Sequence, residues 1–429
     1  MRSSESLLRR LAFLASACSI MLAFAACSGP PVPPPSVPAP QAVTVFEGAR
    51  LIVGDASAPI DNATFVVSRD RFVAVGRAGE VDVPAGAARV NLAGKTVMPA
   101  IVDTHTHLSR DRAALVQDLR HRAYFGVGAA MSLGQDNGTA VFEVRGEAIL
   151  GAALYRTAGR GITAPEPGRT DIPYWVRTPD EARNAVREQA ALAVDIVKIW
   201  VDDRNGMYEK LAPELYAAAI DEAHQNGLRV TAHIFDLSDA KALLRAGLDA
   251  FAHGIRDTDV DDEVVALFHE RPGVVVVPNL PDRGVATDLT WLRGSIPDAQ
   301  WQEIQATAST ERPELQAAHA IQARNLARLS AEGVKIALGT DGNVPWGPHL
   351  EMADMVAAGM TPAQVITAST QTAAEFLRLR DAGTVAAGKS ADFVVLAANP
   401  LDDITNTRKI DAVYLRGDQV DRDAVRASW

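Results

Sequence analysis

The stretch Val102-Asp103-Thr104-His105-Thr106-His107-Leu108 follows the apolar run Val97-Met98-Pro99-Ala100-Ile101, which predicts a buried strand. Side chains alternate along a strand, so His105 and His107 are expected on the same side. Two neutral imidazoles on one face can hold one transition-metal ion. A His-x-His pair also occurs on ordinary strands. The pair therefore becomes informative only if other strand ends supply further ligands.

The composition predicts a globular protein with a large core. The chain has 429 residues, of which 48% are hydrophobic and 22% are charged. That length leaves room for a second, small domain. The net charge of −11 comes without a basic cluster, which argues against nucleic acid as a partner. Only two cysteines are present, so no disulfide framework is expected.

Residues 1–27 predict an export signal peptide. Arginines at its start precede an apolar segment that ends in Ala25-Ala26-Cys27. This ending resembles a bacterial lipobox, in which cleavage precedes a cysteine that is then lipidated. Phe24 departs from the leucine usual at that position. Two outcomes stay open: a lipid anchor on a bacterial membrane through Cys27, or ordinary cleavage and release into the periplasm.

The segments around the central part of the chain have their own patterns. Residues 28–41 contain seven prolines and predict a stiff, extended linker. Residues 42–97 and 384–429 contain short β-like runs broken by Gly, Pro and Asp-Asn. Each of these two regions is too small to bury a core alone. We therefore expect one small β-sandwich domain formed from both chain ends.

Residues 98–383 alternate between strand and helix patterns. Eight such units predict an α/β fold with a (β/α)8 TIM barrel, whose chemistry gathers at the C-terminal ends of the strands. The long segment from Asn279 to about Glu311, between strands seven and eight, predicts a functional lid. The candidate strands are 99–105, 127–132, 155–160, 194–200, 228–234, 249–253, 274–278 and 335–340.

Residues that bind metals or transfer protons recur at these strand ends. Neutral imidazole suits zinc and similar ions. A lysine inside an apolar strand is costly as a cation, and its neutral amine could take up carbon dioxide as a metal-bridging carbamate. An aspartate can bind metal and relay a proton. Besides His105 and His107, the set comprises Lys198 on strand four, His233 on strand five, His253 on strand six and Asp341 after strand eight.

In this ordered set the sequence resembles the amidohydrolase superfamily, in its binuclear, carboxylated-lysine form, which includes imidazolonepropionase and Xaa-Pro dipeptidase-like enzymes. The resemblance includes a closing signature from Asp381 to Leu396, preceded by a Gly359-Met360-Thr361-Pro362 turn and a helix at 366–370. It covers nearly the whole chain after residue 42. It also favours a homo-oligomer.

The resemblance implies a role for each candidate residue. His105, His107 and Asp341 would hold one divalent ion, His233 and His253 a second, and Lys198 would bridge them as carbamate. Zinc is the first choice of metal, and manganese, iron and cobalt also fit. A bridging hydroxide would attack a carbonyl, and Asp341 would carry the proton to the leaving nitrogen. For Lys198 an alternative stays open, namely a strand-end cation paired with Asp195, Asp202 or Asp203.

Candidate substrate contacts lie near the predicted strand ends or in the loops that follow them. An arginine there could clamp a substrate carboxylate, whereas an aromatic side chain could equally be packing at the barrel rim. Related dipeptidases often carry a Gly-Gly-His stretch after strand three, but residues 158–168 contain no histidine. For His349 an alternative stays open, namely a contact at the start of a helix. The candidates are Arg160, Tyr174, Trp200, Arg256 and His349.

These observations predict an exported, metal-dependent amidohydrolase that acts on a small molecule. The candidate substrates are N-acyl amino acids, dipeptides and cyclic amides. A lactonase or esterase that uses the same two metals is the alternative within the enzyme class. A non-catalytic barrel relative is the alternative outside it, but such proteins typically lose ligands, and this chain keeps all six.

Overall fold

The computed structural model describes residues 43–429. The predicted signal peptide and proline-rich linker lie outside these residues. Among the described helices, none has the length and hydrophobicity that a membrane-spanning segment needs.

Eighteen strands occur in the described chain. They are β1 (Val43–Leu51), β2 (Ile60–Ser68), β3 (Arg71–Arg77), β4 (Ala88–Asn91), β5 (Thr96–Pro99), β6 (Ile101–Thr106), β7 (Val127–Ser132), β8 (Leu154–Thr157), β9 (Ile162–Thr163), β10 (Tyr174–Trp175), β11 (Val197–Trp200), β12 (Val230–His233), β13 (Ala250–Ala252), β14 (Val275–Val277), β15 (Lys335–Ile336), β16 (Phe393–Leu396), β17 (Ile410–Leu415) and β18 (Asp418–Gln419).

Twelve α-helices and two short 3₁₀ turns, Thr290–Leu292 and Ile404–Arg408, complete the described secondary structure. The helices are α1 (Arg112–Tyr124), α2 (Ala140–Arg145), α3 (Pro179–Ala191), α4 (Pro213–Gln225), α5 (Leu237–Ala246), α6 (Asp262–Glu270), α7 (Asp298–Ala308), α8 (Pro313–Ala331), α9 (Gly347–Ala357), α10 (Pro362–Ser369), α11 (Gln371–Phe376) and α12 (Arg422–Ala427).

Strands from both ends of the described chain form one β domain, as the sequence predicts. The hydrogen-bonded order is β18-β17-β16-β5-β1-β2-β3, and β4 pairs with the first half of β1. The antiparallel pair β5–β16 joins the two ends, with Val97 opposite Val395. The N-terminal and C-terminal segments therefore depend on each other for a complete sheet.

Aromatic residues fill the core of the β domain. The ring of Phe65 on β2 stacks on Phe46 at 4.8 Å, and it also meets the edge of Phe393 on β16 at 5.3 Å. Two other strands separate β2 from β16 in the sheet, and neighbouring strands lie about 4.8 Å apart. The sheet must therefore curve over itself to bring these rings together. This curvature produces the two facing layers that the sequence predicts as a sandwich.

The barrel prediction is confirmed by eight parallel strands at the predicted positions, β6, β7, β8 and β11 to β15. The ring closes where the backbone N–H of Thr104 on β6 donates to the carbonyl of Leu338, just after β15, at 3.0 Å. The barrel strands are buried on both faces and are mostly apolar, which is typical of a parallel sheet covered by helices. Because all eight strands run the same way, their C-terminal ends share one rim.

The segment between the last two barrel strands is more ordered than an irregular loop. It contains the 3₁₀ turn at 290–292 and helix α7. Trp301, Ile304 and Ala308 pack against the barrel core, and the indole N–H of Trp301 donates to the carbonyl of Leu289 at 3.0 Å. Their spacing of three and four residues puts these side chains on one face of a helix. The predicted lid is therefore a packed, partly helical segment.

Candidate metal centre

All six predicted ligands lie at the C-terminal rim of the barrel. His105 is on β6, Lys198 is on β11 and His233 is the last residue of β12. His107 and His253 directly follow β6 and β13, and Asp341 lies on the loop after β15. His105, Lys198, His233 and His253 are buried, whereas the side chains of His107 and Asp341 are 26% and 38% exposed. Burying four such polar side chains at one rim costs free energy, which a shared ligand would offset.

The carboxylate of Asp341 lies among three imidazoles. Its Oδ1 is 3.0 Å from Nε2 of His105 and 2.9 Å from Nε2 of His107. Its Oδ2 is 3.7 Å from Nε2 of His253. The candidate ligand atoms of His105, His253 and Asp341 all lie within 4.8 Å of one another. One cation could contact these atoms together.

Backbone geometry fixes Asp341 in this position. Its φ of +53° is in the left-handed region, and its N–H donates to the carbonyl of His105 at 2.7 Å. A Cβ added at Gly339 would lie 2.8 Å from Cβ of His105. Only glycine at residue 339 lets the chain pass this close to β6, so the turn and the histidine are positioned as a unit.

A second group surrounds His233. Its ring lies 4.5 Å from the ring of His253. The Nε2 of His233 is 2.9 Å from Oδ2 of Asp202 and 3.3 Å from Nη1 of Arg204. Arg204 also donates to Asp202 and, through Nε, to Glu166 at 2.9 Å. His233 and His253 therefore lie next to an ion-pair network on the loops after β9 and β11.

Lys198 is fully buried, and its Nζ has no hydrogen-bond partner among residues 43–429. Burial lowers the pKa of this amine to about 7; Asp341 opposes that effect and Arg204 adds to it. Asp195 pairs instead with Arg145 at 2.7 Å. Asp202 pairs with Arg204. The alternative interpretation predicted an ion pair between Lys198 and Asp195, Asp202 or Asp203. No such pair lies within 4.0 Å in the described chain.

Trp200 forms a wall beside Lys198. The Nζ of Lys198 is 5.5 Å from the centroid of the indole ring. A Cβ added at Gly161 would lie 1.9 Å from this ring, and one at Gly134 would lie 2.5 Å from it. The indole is buried against two glycine backbones, so Trp200 packs over the lysine and shields it from solvent.

The electrostatics of the site favour neutral imidazoles around a charged carboxylate. Burial lowers the pKa of His105 to about 4 and holds those of His233 and His253 well below the usual range. Burial alone would raise the pKa of Asp341, but His105, His107 and His253 outweigh it and lower that pKa strongly. Neutral imidazole and ionised carboxylate are the forms that bind divalent metals.

Asn279 is a site residue that sequence reasoning missed. It is buried two residues after β14, and its Oδ1 accepts a hydrogen bond from Nδ1–H of His105 at 2.8 Å. This bond leaves Nε2 of His105 free to face Asp341. The sequence does show a polar residue at the end of predicted strand seven. Its partner His105 lies 174 residues away, so the pattern alone does not connect the two.

Asp103, inside the quoted motif, was also missed. Its buried carboxylate accepts hydrogen bonds from the hydroxyl of Thr340 at 2.8 Å and from the N–H of His105 at 3.3 Å. Burial raises the pKa of Asp103 to about 6, against the influence of Arg122. The carboxylate joins the strand that carries His105 to the turn that carries Asp341. In the sequence, only the position of a charged residue inside an apolar strand indicated this role.

Of the predicted substrate contacts, Arg256 is near the histidines. Its guanidinium carbon is 3.9 Å from the ring centroid of Phe235, which in turn lies 4.5 Å from the ring of His233. Arg160 and Tyr174 instead stack on each other at 3.9 Å. Arg160 donates to the carbonyl of Ile172 at 2.5 Å. Tyr174 donates to Glu188 at 2.8 Å. These two side chains brace the loop around β10, and no contact joins them to the imidazoles.

His349 makes a helix-start contact, which is the alternative interpretation, and does not face the imidazoles of the site. The residue follows Asp341 closely in sequence, but helix α9 carries its ring into the protein core. Its Nε2 lies 2.9 Å from the carbonyl of Phe125, and its Nδ1 lies 3.0 Å from the hydroxyl of Thr407. Both nitrogens are occupied in a buried contact between the barrel and the 3₁₀ turn at 404–408. His349 is therefore a packing residue.

A polar cleft of about 730 Å³ opens beside His107. Its walls include Arg110, Gln135, Asn137 and Asn343. This volume is enough for a small-molecule ligand. The cleft thus gives a small molecule access to the exposed edge of the histidine cluster.

The residues fit divalent metal ions. Imidazole nitrogens and a carboxylate are the donors that zinc and related metals take. Nε2 of His105 and Nζ of Lys198 are buried without a hydrogen-bond partner in the described chain. Buried polar atoms without a partner are unfavourable unless a ligand satisfies them.

Comparisons with known proteins support this assignment. Residues 96–420 match the sequence profile of the amidohydrolase family. Ochratoxinase from Aspergillus niger is 27% identical, with 84% of this chain and 82% of that protein covered. Imidazolonepropionase from Streptomyces coelicolor is 28% identical over 79% of this chain and 86% of the enzyme. Among solved structures, a Bifidobacterium longum protein proposed to be a prolidase is 26% identical, with a TM-score of 0.72 over 91% of this chain and 99% of its own.

Replacing Asn279 by Ala is expected to weaken metal binding about 10- to 100-fold, because His105 loses the partner that fixes its ring. The affinity can be measured by titrating zinc against a competing chelator. Asn226→Ala, at the C-terminal end of α4 away from the rim, is the matched control and should bind zinc as the wild type does. Equal affinities for all three proteins would contradict the role of Asn279.

The burial of His349 predicts a pH-dependent stability. Burial lowers its pKa to about 4 from the ordinary 6.5, so the unfolded chain takes up the proton more readily. The stabilisation by the neutral ring is complete above pH 6.5 and is lost as the pH falls towards 4, by up to about 3 kcal/mol. The free energy of unfolding in urea should therefore fall more steeply over this range for the wild type than for His349→Gln. If the free energies of unfolding of the two proteins changed in parallel with pH, the His349 ring would not be buried in its neutral form.

Proposed function

Because the chain belongs to the amidohydrolase family, we propose that this hydrolase uses bound divalent metal to cleave a carbon–nitrogen amide bond at the barrel rim. The observation that carries the proposal is the meeting of Asp341 with His105 and His253, whose candidate ligand atoms lie within 4.8 Å of one another. The accessible cleft beside His107 gives a small substrate a route to this point.

Two ions would be held, one by His105, His107 and Asp341, the other by His233 and His253. Zinc fits the donors best, and manganese, iron or cobalt are alternatives. Such ions, when bound, lower the pKa of water and polarise a carbonyl oxygen. The chain's own contribution is to fix the donors: Asn279 orients His105, and Asp103 joins the strand of His105 to the turn of Asp341.

Lys198 would supply the anion between the two sites. Its neutral amine would add to carbon dioxide, forming a nitrogen–carbon bond and releasing one proton, and the carbamate oxygens would be shared. Three features support this role: the buried position on β11, the absence of an ion-pair partner in the described residues, and the indole of Trp200 that screens the amine from water.

Asp341 would move the proton. Its carboxylate is ionised and partly exposed, so it can accept a proton from the attacking water. It would return that proton to the leaving nitrogen, because an amine leaves readily only after protonation. The products are a carboxylic acid and an amine, and water is the only co-reactant.

The substrate class is proposed from the chemistry and from the relatives. Two relatives of this chain, ochratoxinase and imidazolonepropionase, are 27% and 28% identical to it. N-acyl amino acids, dipeptides and cyclic amides remain candidates. A lactone would accept the same attack but would not need the returned proton on its leaving group, so an amide and lactone panel separates the two.

Asp341→Asn is expected to lower kcat on the best amide of such a panel by about 100- to 10,000-fold, because the proton relay is lost. Metal content and thermal unfolding, measured in parallel, would show whether the ions and fold are retained. Asp249→Asn, an aspartate that pairs with His224 near the start of β13, is the control and should keep its turnover. Undiminished hydrolysis by Asp341→Asn would contradict the relay.

A further inference from the structure

Arg256 is held firmly at the rim of the barrel. It follows His253 by three residues, and its backbone N–H donates to the carbonyl of Phe235 at 2.9 Å. Its guanidinium carbon lies 3.9 Å from the centroid of the Phe235 ring. Stacking on an aromatic face is a favoured position for a guanidinium group and leaves its N–H groups directed outward in their plane.

The charge of Arg256 has no protein partner in the part of the chain that the structure describes. No carboxylate there lies within 4.0 Å of its nitrogens, and its side chain donates no hydrogen bond; the Nε atom is buried. Other arginines of the rim differ. Arg204 is neutralised by Asp202 and Glu166, and Arg160 donates to backbone carbonyls. A partly buried guanidinium without an anion is unfavourable unless a ligand supplies one.

Phe235 connects Arg256 to the proposed metal ligands. The centroid of its ring is 4.5 Å from that of His233 and 5.6 Å from that of His253. The guanidinium and the two imidazoles therefore surround one phenyl ring. An anion bound by Arg256 would therefore lie next to the proposed metal ligands.

We propose that Arg256 binds a carboxylate of the substrate, so that the enzyme acts on amides that carry a free carboxylate close to the scissile bond. A planar guanidinium and a carboxylate match in a two-point hydrogen-bonded pair. This inference rests on the proposed function and narrows it to N-acyl amino acids and dipeptides. It disfavours lactones and cyclic amides that lack the acid group.

The test compares substrates in pairs. The metal-loaded enzyme is given N-acetyl-L-phenylalanine, N-acetyl-L-leucine and L-alanyl-L-proline, each beside its carboxamide counterpart. The wild type should prefer the best carboxylate over its carboxamide by about 10- to 100-fold in kcat/KM, which is the range of a charge-assisted hydrogen-bonded pair. Arg256→Met should lose this preference.

Two further variants separate recognition from folding. Arg256→Lys keeps the charge but not the planar fork, so it should recover only part of the preference. Arg229→Met removes another arginine that stacks on an aromatic ring, Phe376 at 5.0 Å, but this arginine lies just before β12, away from the rim. It should keep the full preference. Thermal unfolding of each variant shows whether the protein is folded.

Binding provides a readout that does not depend on turnover. Calorimetry with the free amino acids phenylalanine, leucine and proline, and with their amides, should give tighter binding of at least one acid to the wild type and not to Arg256→Met. Metal-dependent hydrolysis without a preference for carboxylates would overturn this inference and leave the proposed function intact. If no substrate is hydrolysed, the proposed function fails, and equal binding of acids and amides would then reject the role of Arg256 as well.

Discussion

The contact between the Asp341 carboxylate and the imidazoles of His105, His107 and His253 is the interaction on which the rest of the site depends. It brings the first, sixth and eighth barrel strands to one point. The parallel barrel makes this possible because every strand ends at the same rim. The left-handed turn at Asp341, the Asp103–Thr340 hydrogen bond and Asn279 serve to hold that one contact in place.

The charges at this rim are incompletely matched by the protein itself. The amine of Lys198 and the guanidinium of Arg256 have no ion-pair partner within residues 43–429, and Nε2 of His105 is buried without a hydrogen bond. Elsewhere at the rim, Glu166, Arg204 and Asp202 compensate one another. The unmatched groups are those that the proposed chemistry uses: metal for the imidazoles, carbon dioxide for the lysine and a substrate carboxylate for the arginine.

The sequence was sufficient to predict the eight barrel strands and the β domain shared by both chain ends, because strand pattern and strand-end position are local properties. It could not predict Asn279 or Arg204, whose importance depends on partners far along the chain or on the conformation of a loop. For His349 the sequence left two roles open. This residue lies close to Asp341 in sequence, but the first turn of α9 directs its ring to Phe125. Arg160 stacks on the ring of Tyr174, and this contact depends on the conformation of the folded loop.

The number of metal ions per chain tests the central claim most directly. Residues 28–429 would be produced with bicarbonate and divalent metal and analysed by elemental mass spectrometry, with Lys198→Ala as the variant and exposed Lys335→Ala as the control. We expect about two ions in the wild type and the control, and one or none in Lys198→Ala. A single ion that is indifferent to Lys198 would contradict the bridged site, and a protein without metal would contradict the proposed function.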